Sequence, residues 1–199
     1  MTDLPLINAE KLSCSRKDRE LFSNITFSLF RGQSLLVQGP NGVGKTTLLR
    51  TLAGFRKPTK GSIKILGNTP LESSGGILFV GQRSALSPQL SVDFNLWHLT
   101  GSSSLERKKA LEEVGLSGYR DALIEELSNG QVRRCALARI WLTKASVLIL
   151  DEPFVSLDKQ MLEKLIAKIS IFLKTGALIF SSHFEVPSLF SNTLDLTEF

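Results

Sequence analysis

The sequence predicts an α/β fold with a mainly parallel sheet covered by helices. Two observations carry that expectation. Four short runs, QSLLVQG (33–39), GGILFVGQ (75–82), SVLILDEP (146–153) and GALIFSSH (176–183), are apolar through their centres. Strands read this way when both faces are buried. Between the runs lie stretches of helical periodicity, and strands alternating with helices build parallel sheets.

The elements follow in chain order. Residues 4–12 (LPLINAEKL) and 23–30 (SNITFSLF) alternate apolar and polar positions, and the polar SRKDRE between them reads as a turn. These supply an antiparallel β part beside the parallel core. The strand at 33–39 ends on a glycine, and TTLLRTLAGF (46–55) then sets Leu48, Leu49, Leu52 and Phe55 at helical spacing, with Gly54 as the stop. PTKGSIKILGN (58–68) reads as turn, strand, turn. From Ser84 to Leu127 the character changes: LERKKALEEVGL has a helical period and no strand is evident. Residues 84–127 are therefore read as an inserted helical subdomain within one domain spanning 1–199, whose core is 1–83 and 128–199. NGQVRRCALARIWLTKA (129–145) reads as a helix, LDKQMLEKLIAKISIFLK (157–174) as an amphipathic helix, and GALIFSSH as the last strong strand.

Composition narrows the function classes. With 42% apolar and 22% charged residues the chain has the makings of an ordinary packed domain, which excludes general disorder. The net charge of +5 has three readings: nothing in particular, help in binding polyphosphate, or attraction to an anionic membrane surface. Cys14 and Cys135 match no metal or redox spacing and read as reduced thiols. No signal peptide is evident, and no apolar run approaches the roughly 18 residues of a spanning helix. Membrane association is thus expected through a partner.

The most informative stretch joins the first buried strand to its helix. Gly39-Pro40-Asn41-Gly42-Val43-Gly44-Lys45-Thr46 fits G-x-x-x-x-G-K-[ST] in full and stands between a strand and a helix, as that motif requires. A phosphate chain lies against successive backbone N–H groups, which a Cβ would obstruct. The helix N-terminus adds a favourable dipole. Lys45 supplies a point charge to the β and γ phosphates and Thr46 a hydroxyl to Mg²⁺. Thr47 completes the expected ATP-binding stretch. At the end of VLILDEP the chain delivers two adjacent carboxylates. Neighbouring strand residues point opposite ways, so Asp151 is expected to face Mg²⁺ while Glu152 aims at an attacking water.

LSNGQVRRCALAR (127–139) resembles the signature of the ATP-binding cassette (ABC) ATPases, usually written LSGGQ and followed by a basic helix. Asn129 stands where glycine is commonest, a substitution rationalised by asparagine's tolerance of positive φ. The order of phosphate loop, Gln82, signature, LILDEP, SLD and His183 is that family's order over essentially the whole chain. The resemblance implies a P-loop NTPase of the ABC fold with ATP and Mg²⁺ as its nucleotide and metal. It implies that Gln82 joins Thr46 and Asp151 around Mg²⁺ and senses the γ-phosphate. Ser128, Asn129, Gly130 and Gln131 would contact the ATP held by a second copy, in a head-to-tail dimer. Glu152 would be the general base or water-positioning group, His183 the switch histidine on the γ-phosphate, and Asp158 a contact to the second copy. One departure stands out. The family usually stacks adenine on an aromatic before the second strand, whereas the matching place here has Ser15 or Arg16, whose guanidinium plane could stack instead.

Three stretches, CSRKDRELFSNITFSLFRGQ, GPNGVGKTTLLRTLAGFRKPTKGSI and LSNGQVRRCALARIWLTKASVLILDEPFVSLD, are further similar to the ATP-binding subunits of the bacterial heme exporter of cytochrome c maturation. That resemblance implies a peripheral subunit on the cytoplasmic face of the inner membrane, paired with an integral membrane subunit. No Cys/His arrangement suits heme ligation, so no heme is expected on this chain. No nucleic-acid partner is expected, since the chain has one cassette and no heptad run. Two other readings stay open from the residues: the ATPase of another exporter, for lipids, drugs or metals, and a soluble cassette module.

Overall fold

The structure, a computed structural model, describes residues 4–16, 19–183 and 192–199. They form two compact units. The first comprises the chain up to Phe79, Ala145–Pro153 and the chain from Ser170 onward, and the second comprises Val80–Lys144 and Phe154–Ile169.

The first unit contains two sheets. The smaller has β1 (Ile7–Arg16) at its centre, flanked by β2 (Arg19–Leu29) and β4 (Lys60–Ile65), both antiparallel to it. The strands run deeper into SRKDRE than a turn would allow: Ser15 pairs with Glu20 and Arg16 with Arg19. A hairpin ladder satisfies backbone groups whatever the side chains are, and one face of this sheet is solvated.

The larger sheet holds β3 (Ser34–Gln38), β5 (Ile77–Val80), β6 (Val147–Asp151), β7 (Ala177–Ser181) and β8 (Asn192–Asp195), in the order β5-β6-β7-β3-β8. The pairings β6 with β7, β7 with β3 and β3 with β8 are parallel. Every residue of β6 and of β7 is buried, which is why both segments are so uniformly apolar. The edge strand β8 has only Leu194 buried and so left no apolar run to read.

Helix α1 (Lys45–Leu52) buries Leu48, Leu49 and Leu52 in a core shared with Leu35 and Val37 of β3, Val147 and Ile149 of β6, and Ile179 of β7. The same core takes Ile7, Leu12, Phe22 and Ile25 from the antiparallel sheet. Each such side chain contributes about 1.5–3 kcal/mol by leaving water. The packing anchors both ends of the glycine loop between β3 and α1.

The second unit is helical: α2 (Val92–Thr100), α3 (Ser104–Glu113), α4 (Asn129–Leu142) and most of α5 (Lys159–Leu173). Helices α2 and α3 lie within residues 84–127. Ser91 caps α2 by accepting the Phe94 N–H, and Ser103 with Glu106 forms a capping box on α3. Asn95, 3% exposed, accepts the Ser87 N–H and donates to the carbonyls of Ser87, Leu90 and Ser91, so one side chain shapes the loop before α2. Asp93 is clamped by two arginines. Arg107 donates to its two oxygens at 2.9 and 2.7 Å, and Arg120 Nε donates at 2.9 Å. Both cysteines are free and buried, and burial pushes the Cys135 thiol up to about 12, so it stays protonated and inert at neutral pH.

The hydrogen bonds from Arg107, assisted by Arg120, hold the Asp93 carboxyl below the usual carboxylate range. Its folded value is depressed, so its contribution is present above the unfolded value and lost as pH falls through the folded one, which places the loss below about pH 4. Asp93→Ala strands the buried Arg107 and is expected to cost about 3 kcal/mol. Urea unfolding followed by the fluorescence of Trp97 and Trp141, both in this unit, measures that cost, and Asp93→Asn should flatten the acid dependence.

Candidate active site

Three strand ends of the first unit meet at the site. β3 ends at Gln38 and runs into the loop at 39–44, β6 ends at Asp151, and β7 ends at Ser181. Ser181 pairs with Asp151 on one side and with Val37 on the other, so β7 sets the spacing between the carboxylate strand and the loop strand. Ligands of open α/β sheets bind beyond such carboxyl ends.

The loop needs its glycines. Gly39 has φ +131, and a Cβ there would sit 2.9 Å from the Val43 side chain. Gly44, the N-cap of α1, has φ +128 and lies over Leu21 and Phe22. No side chain caps α1 and no acidic residue occupies its first turn, so its leading N–H groups and dipole face an anion without competition. Lys45 is 8% exposed, and its ammonium donates to the carbonyls of Gly39 at 2.7 Å and Pro40 at 3.3 Å. Those bonds hold a buried cation inside the loop that would receive phosphates.

Thr46 Oγ1 donates to Asp151 Oδ2 at 2.9 Å. Among the described residues, no group of three His, Cys, Asp or Glu side chains gathers to hold a metal unaided. Mg²⁺ is ordinarily held by one or two carboxylates together with substrate phosphates, so the Thr46–Asp151 pair fits it as part of a metal–nucleotide complex. Glu152 does not continue the strand as simple alternation implies. Its φ of +49 is uncommon for a side-chain-bearing residue, and its carboxylate is buried. Glu152 Oε1 lies 3.3 Å from Nε2 of the half-exposed His183. Strain of this kind concentrates at functional sites. A carboxylate and an imidazole so close can orient a water and hold a phosphoryl oxygen.

Gln82, Ser128, Asn129, Gly130, Gln131 and Asp158 belong to the second unit. Gln82 is exposed just beyond β5, and the carbonyl of Gly81 before it accepts a 2.7 Å bond from Arg133 of α4. Ser128 is the N-cap of α4, with Gln131 completing a capping box. Asn129 and Gly130 are the first helical residues, and neither has positive φ, which corrects the reason given for Asn129. A right-handed first turn makes no demand for positive φ, and asparagine costs it only a modest propensity penalty, under about 0.7 kcal/mol relative to alanine. Asp158 accepts the Met161 N–H at the start of α5. Ser15 and Arg16 lie at the end of β1, where Arg16 is exposed and the Ser15 carbonyl accepts from Arg56. Sequence reasoning missed Ser181 and Arg133. The one signal for Ser181 was a hydroxyl in an otherwise apolar buried strand.

Residues 22–155 match the profile of the ABC transporter family. The chain belongs to the ABC transporter family. It is 41% identical to a cytochrome c biogenesis ATP-binding export protein, CcmA, of Idiomarina loihiensis, over 92% of this chain and 87% of that one. It is 35% identical to the CcmA of Escherichia coli K12, over 87% and 86%. Among solved structures, a putative ABC transporter ATP-binding protein from Pyrococcus furiosus superposes with a TM-score of 0.84 at 30% identity, covering 97% of this chain and 98% of that one. As a member of that family the chain binds nucleotide and is the ATP-hydrolysing subunit of a transporter. Among the described residues no helix is long and apolar enough to cross a membrane.

Lys45→Ala removes the buried cation of the glycine loop, which is expected to meet the phosphates. Two charge-assisted hydrogen bonds at about 1.5 kcal/mol or more each correspond to a loss of ATP affinity of at least about 100-fold. Calorimetric titration with ATP checks it, and unchanged affinity contradicts the loop's assignment.

Proposed function

We propose that this chain powers an exporter of cytochrome c biogenesis, with heme or a heme-loaded carrier as the cargo handled by its partners. The observation that carries the reading is the likeness to CcmA over nine-tenths of the chain, together with a buried Glu152 that directly follows Asp151, the carboxylate bonded to Thr46. The cassette would be organised as a core, residues 1–83 and 128–199, with residues 84–127 as its helical insert.

The phosphates would lie along the loop of Gly39, Pro40, Asn41, Gly42, Val43, Gly44, Lys45, Thr46 and Thr47, against the backbone N–H groups of all of these but Pro40. Lys45 would exchange its bonds to the Gly39 and Pro40 carbonyls for stronger ones to the charged β- and γ-phosphate oxygens. Thr46 and Asp151, joined by Gln82, would hold Mg²⁺, which when bound neutralises charge developing on the phosphates. Glu152 would align the attacking water and His183 would steady the γ-phosphate. Such a site works by positioning and electrostatic stabilisation. Ser128, Asn129, Gly130 and Gln131 of a second copy would close over the same nucleotide, with Asp158 at the contact. Closure on ATP and reopening after hydrolysis would drive the membrane subunit. The chain would sit peripherally on the cytoplasmic face of the inner membrane and bind neither heme nor nucleic acid itself.

One experiment reads both partners. A tagged Glu152→Gln chain is co-expressed with an untagged copy in the native host and captured from detergent-solubilised membranes in ATP. Recovery of the untagged copy together with cytochrome c maturation membrane subunits is expected. An unrelated permease would replace the cargo, and recovery of the tagged chain alone would overturn the shared-site dimer.

A further inference from the structure

We propose that Ser181 is a positioning residue for hydrolysis: its hydroxyl fixes the Asp151 carboxylate and the Glu152 backbone together. The proposal rests on the reading of Asp151 and Glu152 given above.

Ser181 is fully buried, so it acts through its neighbours rather than on the nucleotide. Its Oγ donates to Asp151 Oδ1 at 2.8 Å and accepts the Glu152 N–H at 3.0 Å. One hydroxyl thereby uses its single proton on one acidic residue and a lone pair on the next. The consequences differ for the two. Asp151 has its oxygens divided, Oδ1 on Ser181 and Oδ2 on Thr46, so the carboxylate has a fixed rotamer. Glu152 has the peptide plane before it pinned, and rotation about the next bond, at φ +49, takes its side chain out of the strand direction to lie 3.3 Å from His183. Without the hydroxyl, Glu152's buried N–H loses the bond that Ser181 accepts, a loss costly enough to shift the backbone there.

Strand order explains why this position does the work. β7 lies between β6 and β3, so its last residue is flanked by the carboxylate strand and the loop strand at once. Among the described residues, no other strand end has both neighbours. An apolar side chain would pack there, as it does at the four preceding residues of β7, but it could not tie the two acids together.

The test uses the chain purified with its membrane partner, with four variants. Ser181→Thr keeps the hydroxyl, Ser181→Val has the same shape without it, Ser181→Ala removes it with least crowding, and Glu152→Gln controls the underlying reading. Rates are expressed per ATP-binding site titrated, which removes any unfolded fraction. Ser181→Val and Ser181→Ala are expected to lower kcat about 10- to 100-fold, the scale of a small misplacement of reacting groups, with KM for ATP changed less than about threefold. Ser181→Thr is expected to restore most of kcat. Equal kcat in the Thr and Val variants, or a loss confined to KM or to thermal stability, overturns the positioning role. If Glu152→Gln itself hydrolyses ATP at the parent rate, the reading of Glu152 falls instead, and the Ser181 proposal falls with it.

Discussion

The site depends on one buried carboxylate. Asp151 is 1% exposed, and a charge so far from water is retained only when its oxygens are engaged. Thr46 takes one oxygen and Ser181 the other. Those two bonds bind the start of α1 to the ends of β6 and β7, three segments far apart in the chain. The parallel register of the strands makes the meeting possible, because it brings several strand ends to one edge of the sheet. The apolar core beneath supplies the rigidity. Leu48, Leu49 and Leu52 of α1 pack with Ile149 and Ile179 of the same two strands, so moving Thr46 away from Asp151 would require opening that core.

The glycine loop holds its cation in place before any ligand arrives. Lys45 is nearly buried on two carbonyls of its own loop, and the N-terminus of α1 carries no competing acid. Arrangement before the ligand arrives lowers the cost of organising the site when it does. The helical unit uses the same logic on a local scale. Asp93 between two arginines and Asn95 across a loop hold α2 and its approach in one conformation, while Ser128 and Gln131 fix the first turn of α4. Arg133, one turn further, grips the carbonyl just before Gln82, so the start of α4 and the Gln82 segment are held to each other within one unit.

Much of this was legible in the sequence because certain residue types are forced. Gly39 and Gly44 adopt φ above +120, which few side chains tolerate, so the loop announces itself. β6 and β7 are buried at every position, and the four residues before Asp151 and before Ser181 are apolar, as burial on both faces favours. Other features had no such signature. β8 is an edge strand with one buried side chain, and the hairpin of β1 and β2 continues through polar residues because its ladder needs only backbone. The turn of Glu152 toward His183 comes from a left-handed backbone at a non-glycine residue, which no spacing rule foretells. The role of Ser181 had only its hydroxyl as a sign, because its partners lie 29 and 30 residues away in sequence and become neighbours only through strand order.

The central claim is that the Thr46–Asp151 pair holds the metal of a metal–nucleotide complex at the mouth of the glycine loop. Pulsed electron paramagnetic resonance with Mn²⁺ in place of Mg²⁺ tests it most directly, by reading ³¹P couplings from bound ATP. The parent chain should give phosphate-coupled Mn²⁺, and Asp151→Asn and Thr46→Val should each lose or alter that spectrum. An identical spectrum in both variants would place the metal elsewhere and contradict the claim.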